Sequence, residues 1–144
     1  MKVSVILQKK GSADIVTVRP GTTISDAVRD LSRRRIGALV VSPDGAGIAG
    51  IVSERDIVRR LGEEGPGVLA RPVSDIMTTT VETCTAEDTA YDLLDRMTRG
   101  RFRHMPVVGP GGRMTGILSI GDVVKARLEE IESENAAMAE MLSS

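Results

Sequence analysis

Residues 50–56 read GIVSERD and residues 116–122 read GILSIGD, nearly the same seven letters 66 positions apart. The likeness spreads outward from this pair. Shifted by 66 positions, residues 15–61 align without a gap on residues 81–127. Thr17/Thr83, Thr23/Thr89, Asp26/Asp92, Arg33/Arg99, Ser53/Ser119 and Asp56/Asp122 are identical, and most other pairs exchange one apolar residue for another, as Leu31 with Met97. A weaker echo lies upstream, where VSVIL at 3–7 resembles VSDIM at 73–77. Two copies of one sequence imply two copies of one structural unit. Each copy alone is marginal as an independent fold, so the two are expected to pack as one pseudo-symmetric body.

Within the first copy, IVTV (15–18) is a short β-branched strand. Thr23 can cap the helix that follows, whose apolar residues Ile24, Ala27, Val28 and Leu31 keep helical spacing. GALVV (37–41) is a continuous apolar strand, PDGAG (43–47) a turn, and residues 48–52 a second strand. A helix then starts at Ser53 and stops near Gly62. The second copy repeats this order, with Thr89 as the cap, Ala90, Leu93, Leu94 and Met97 as the helical stripe, and GPGG (109–112) as the turn. The expected fold is α/β (α+β): two β-α-β-β-α units packed together, plus a long C-terminal helix. The expected divisions are 1–61, a linker at 62–72, 73–127, and a helical extension at 128–144.

The repeated heptapeptide sits where an apolar strand becomes a helix. Ser53 with Asp56, and Ser119 with Asp122, have the spacing of a capping box, which accounts for both residue types unaided. The same geometry can serve a ligand. A helix N-terminus offers unpaired N–H groups and positive partial charge to a phosphate. A Ser hydroxyl there can bind a phosphate or ribose oxygen, and an Asp one turn in can accept two hydrogen bonds from a ribose diol.

Composition narrows the field. Net charge is −1 and the chain has one Tyr, one Phe and no Trp. That gives neither the basic footprint nor the stacking rings of a nucleic-acid binder. With one Cys and one His, an intrachain disulfide is impossible and a structural zinc site lacks ligands. No apolar run reaches the roughly 20 residues of a membrane span, and Val3–Leu7 is too short for a signal-peptide core; the chain is read as soluble and cytoplasmic. Cys84 pairs in the repeat with Val18, which favours a packing role over a nucleophile. His104 has no evident nucleophile partner. No catalytic residue and no metal site is assigned.

The unit order, the G-I-V/L-S-x-x-D junction and the tandem arrangement resemble a pair of cystathionine-β-synthase (CBS) domains, a Bateman module. RFRHMPVV (101–108) resembles that family's R-H-x-P-V strand, Pro106 included. The resemblance covers about residues 3–127. It implies an adenosyl ligand in clefts between the units: AMP or NAD(H) by preference, with ATP or S-adenosylmethionine also in the family's range. By similarity Asp56 and Asp122 hold ribose hydroxyls, and Ser53 and Ser119 contact ribose or phosphate. Backbone groups at Thr17–Val18, Thr83–Cys84, Gly37, Ala38 and Leu39, and Arg103–Met105 read the adenine edge. Arg55, Arg101, Arg103 or His104 neutralise phosphate; Arg suits this because its planar fork donates two hydrogen bonds. The halves are unequal, since the first lacks the R-H-x-P segment and carries Glu54, so the site at Asp122 is expected to lead.

Beyond the repeat, no helix breaker interrupts 122–142, and Val124, Leu128, Ile131, Asn135, Met138 and Leu142 step by 4, 3, 4, 3 and 4. That is a heptad seam with Asn at one a-type position, or else one amphipathic helix packed on its own module. The expectation is a homodimeric, non-catalytic sensor of an adenine nucleotide, read by an unidentified regulated protein, with neither nucleic acid nor membrane as partner. The alternative is an interaction module with no nucleotide ligand.

Overall fold

Thr23 and Thr89 start equivalent helices for the same reason. Each hydroxyl accepts the N–H three residues on, from Asp26 at 3.1 Å and from Asp92 at 3.2 Å, closing one of the open ends of a helix. Each helix then turns off into a left-handed residue, Arg35 (φ 54°) and Arg101 (φ 55°). The computed structural model describes residues 1–11 and 15–143. Its elements are α1 Val3–Lys10, β1 Thr17–Val18, α2 Ile24–Arg34, β2 Ala38–Val41, β3 Gly50–Ser53, α3 Glu54–Glu64, α4 Ala90–Gly100, β4 His104–Val108, β5 Met114–Ser119 and α5 Ile120–Ser143.

The chain divides into two units, described separately. The first comprises Ile15–Glu82 with Pro110–Met114. Its sheet has the order β1-β2-β3, with β1 parallel and β3 antiparallel to β2. The register sets Val40 against Thr17 on one side and Ile51 on the other. All four residues of β2 are buried, as its unbroken apolar run requires. The turn between β2 and β3 is held by Asp44, whose Oδ1 accepts from the Ala46 and Gly47 amides at 2.9 and 2.8 Å. Those bonds, the Gly47 amide foremost, keep its carboxyl below the usual range. The first strand is shorter than its sequence reads, two residues against four.

The second unit comprises Met1–Asp14, Thr83–Gly109 and Thr115–Ser144. Its sheet pairs β4 with β5. The strand expected at Thr83–Cys84 is reduced to a single parallel bridge from Cys84 to Val107. The bonding nonetheless copies the first unit: Val108 N–H donates to Cys84 O as Ser42 N–H donates to Val18 O, both at 2.8 Å.

The upstream echo locates the N-terminal segment. In the second unit Val3 N–H donates to Asp88 O (2.8 Å) and Ala90 N–H to Met1 O (2.9 Å). In the first, Val73 N–H donates to Thr22 O (2.8 Å) and Ile24 N–H to Arg71 O (2.9 Å). Residues 1–7 and 71–77 are thus equivalent straps. Each lies against the helix start of the copy that does not follow it directly, so the N-terminal segment, grouped by sequence with residues 15–61, packs on the second copy instead. The cores agree. One holds Val18, Ile24, Leu31, Leu39, Val52 and Ile57 with Val73 and Ile76 from its strap. The other holds Cys84, Ala90, Met97, Met105, Leu118 and Val123 with Val3 and Ile6. A half that cannot bury enough apolar surface alone is completed by a borrowed strap.

Candidate functional site

The two junctions end a strand and cap a helix with one pattern. At the first, Ser53 Oγ accepts from the Asp56 amide (3.2 Å), while Asp56 Oδ2 accepts from the Ser53 amide (3.0 Å) and hydroxyl (2.9 Å). That is a complete capping box. At the second, Ser119 Oγ accepts from the Asp122 amide (3.2 Å) and Asp122 Oδ2 accepts from the Ser119 amide (2.8 Å). Each N1 amide is used as well: Glu54 N–H donates to Gly37 O (3.0 Å) and Ile120 N–H to Arg103 O (2.7 Å). Each junction therefore uses three of the amide donors that its helix start would offer a phosphate, and the N1 bonds tie Gly37 and Arg103 to the junctions.

The junctions differ in what else meets the aspartate. Arg59 Nη2 approaches Asp56 Oδ1 at 3.4 Å from the exposed side of α3. At Asp122 the cation comes from the strap. Lys10, the last residue of α1, donates to Asp122 Oδ2 (2.9 Å) and to Ile117 O (3.0 Å). Burial pushes the Asp122 carboxyl up, but the Ser119 amide and the Lys10 ammonium outweigh it and hold it below the ordinary value. Both bonds fall on Oδ2. Asp122 also lines a cavity of about 80 Å³ within this unit, together with Lys9, Lys10, Lys125 and Glu129. Lys9 pairs with Glu129 at 3.2 Å and Lys10 with Asp122, so the lining holds three ammonium groups against two half-buried carboxylates, a net positive setting that suits an anionic ligand with hydroxyls. The volume takes a sugar or a phosphate, whereas a whole nucleotide needs a pocket of roughly 300 Å³ or more.

The remaining predicted residues fall into groups. The side chains of Val18, Ala38, Leu39, Cys84, Met105 and Pro106 are buried, so only their backbone can face a ligand. β1 pairs with β2 at Val40 and Val41 only, which leaves that edge of β2 at Ala38 and Leu39 outside the ladder. Thr17 is half-buried. The Thr83 carbonyl accepts from Arg96 Nη2 at 2.7 Å, so its carbonyl is already engaged. Burial, then the nearby Asp88, pushes the Cys84 thiol up to about 12, which leaves it protonated and unfit as a nucleophile. Arg55, Arg101 and Arg103 are exposed and His104 is half-buried. Arg101 occupies the helix-ending position that Arg35 fills in the first unit, a structural account of that repeated arginine.

Sequence reading missed Lys10. Its only signal was the VSVIL/VSDIM echo, which equates the strap containing Lys10 with one that has Thr80 at that place. No group of three or more His, Cys, Asp or Glu side chains able to hold a metal occurs among the described residues, and no helix among them is long and apolar enough to cross a membrane.

Comparison with known proteins identifies the family and the fold. The family model for the CBS domain matches twice, at residues 11–63 and 73–129. An uncharacterized 17.7 kDa protein of Acidianus ambivalens is 34% identical over 128 residues, 89% of this chain and 74% of its own length. Among solved structures, a CBS-domain containing protein from Agrobacterium tumefaciens has a TM-score of 0.83 at 43% identity, covering 88% of this chain and 99% of that one. A CBS domain protein from Pyrobaculum aerophilum, solved in complex with AMP, has a TM-score of 0.75 at 27% identity, covering 85% of this chain and 89% of that one. With two copies of the domain in sequence and the matching fold in three dimensions, this chain belongs to the CBS-domain family as a tandem pair.

Proposed function

We propose that the chain is a non-catalytic sensor module that binds an adenine nucleotide, AMP or NAD by preference, at the junction of Ser119 and Asp122, with the junction of Ser53 and Asp56 as a second site. Asp122 Oδ1 accepts from the ribose hydroxyls, Lys9, Lys10 and Lys125 face the phosphate, and the backbone at Arg103–Met105 of the same unit reads the adenine. The observation that carries this reading is the half-buried Asp122 carboxylate, fixed through one oxygen and set in a cavity lined by three lysines. The AMP complex of the Pyrobaculum protein supports the ligand class. Ligand binding shifts the module between conformations by its differential affinity for them, and a regulated protein reads the shift, with the module acting as a homodimer.

The complete capping box at Ser53 and Asp56 favours a second reading, an interaction module in which S-x-x-D only caps helices. The two separate in a thermal-shift screen of AMP, ATP, NAD, NADH and S-adenosylmethionine. The sensor reading expects a rise in Tm with at least one of them, lost in Asp122→Ala. No shift with any of the five at millimolar concentration overturns it. The capping reading expects Asp122→Ala to lower stability by about 0.5–2 kcal/mol without any nucleotide effect.

A further inference from the structure

α5 is 24 residues long, and the unit it belongs to employs only its beginning. Val123 and Ala126 are buried, but every residue from Ile131 to Ser143 is exposed. A helical run of that length, exposed at every residue, is marginal in water on its own. Along it lies one apolar stripe: Val124 is 39% exposed, Leu128 54%, Ile131 40%, Met138 61% and Leu142 85%, with Asn135 completing the 4-3-4-3-4 spacing. The stripe starts on the part of α5 that packs on the unit and continues unbroken onto the exposed turns.

We propose that this stripe is the seam of a parallel, in-register, two-stranded coiled coil with the α5 of a second copy of the chain. Leu128, Asn135 and Leu142 take the a positions, and Val124, Ile131 and Met138 the d positions. Asn135 commits the occupant and its direction. In the parallel arrangement it meets its own counterpart and the two amides bond to each other. The antiparallel arrangement that keeps the same six residues in the seam sets Asn135 against Ile131, an apolar side chain that can satisfy neither its N–H nor its carbonyl. The flanks agree. Parallel pairing brings Glu132 beside Arg127 of the other helix and Glu134 beside Ala139. The antiparallel pairing brings Glu132 to Glu132 and Glu134 to Glu134, like charges on both flanks. Asn at a single a position is the device that holds such a pair to one register and two strands. This inference stands independently of the nucleotide reading, since no seam residue lines the cavity at Asp122.

The test uses the full chain. Sedimentation equilibrium from low to high micromolar concentration is expected to give a dimer, and the doubly substituted Ile131→Glu/Met138→Glu chain a monomer. Both positions are exposed, so the thermal transition of the folded module is expected to persist in that variant. Air oxidation of Asn135→Cys is expected to give a covalent dimer, because in-register a positions bring the two thiols within disulfide reach; Cys84 is buried and takes no part. A wild-type monomer throughout the range, a dimer that survives Ile131→Glu/Met138→Glu, or failure of Asn135→Cys to cross-link a dimeric protein would each overturn the proposal.

Discussion

Lys10 reaches Asp122 at 2.9 Å and is the charge that most distinguishes one junction from the other. The ion pair has a pH signature. The Asp122 carboxyl is held below its ordinary value in the folded chain, so its contribution to stability is present above the ordinary carboxylate range and is lost as pH falls through that range toward the folded value. Lys10→Met removes the ammonium and leaves the Ser119 amide alone against burial, so the carboxyl moves back up from its lowered value. Urea unfolding at neutral pH and near pH 3 (roughly one unit below the ordinary carboxylate value) is expected to show a smaller acid loss in Lys10→Met than in the wild type. Equal losses would mean that Lys10 has no hold on Asp122. Asp44 and Glu87, also held low by their own partners, contribute the acid sensitivity common to both chains.

At the scale of elements, the glycines that open the repeated heptapeptide have a shared cause. The strap crosses each of them. A Cβ on Gly50 would lie 2.8 Å from the Thr78 carbonyl oxygen and 2.7 Å from the Met77 sulfur. Thr78 pairs with Ile51 through both of its backbone bonds, at 3.0 and 2.9 Å, so it cannot retreat without breaking them. A Cβ on Gly116 would meet only the Leu7 side chain, its nearest carbon at 2.8 Å, and a leucine can change rotamer. Gly50→Ala is therefore expected to cost about 1–3 kcal/mol and Gly116→Ala less than about 1 kcal/mol, measured by denaturant unfolding. Equal costs would show that strap and strand separate as easily at both junctions.

For the whole molecule, the exchange of straps makes a prediction about where damage appears. Ile6 precedes the first copy in sequence but belongs to the core of the second, with Leu93, Met105 and Leu118. Ile76 belongs to the core of the first, with Leu39 and Val52. Each change to Ala is expected to cost about 2–5 kcal/mol. Hydrogen exchange is expected to show Ile6→Ala lowering protection in β4 more than in β2, and Ile76→Ala the reverse. Loss of protection in β2 first on changing Ile6 would contradict the assignment of the straps.

Much of this was legible in the residues themselves. The 66-residue repeat, the threonine caps, the Ser–Asp junctions and the uninterrupted helix from Ile120 are local features. Each depends on spacing and on bonds between residues at most four apart, which a sequence displays directly. Tertiary structure alone decided the rest. Which half a strap completes is settled by where apolar surface remains to be covered. Whether Thr83–Cys84 extends into a strand depends on its neighbours, and there one bridge to Val107 sufficed. That Lys10 sits on Asp122, 112 positions away, depends on the path of α1 across the second unit, and no spacing rule encodes a contact between segments that far apart.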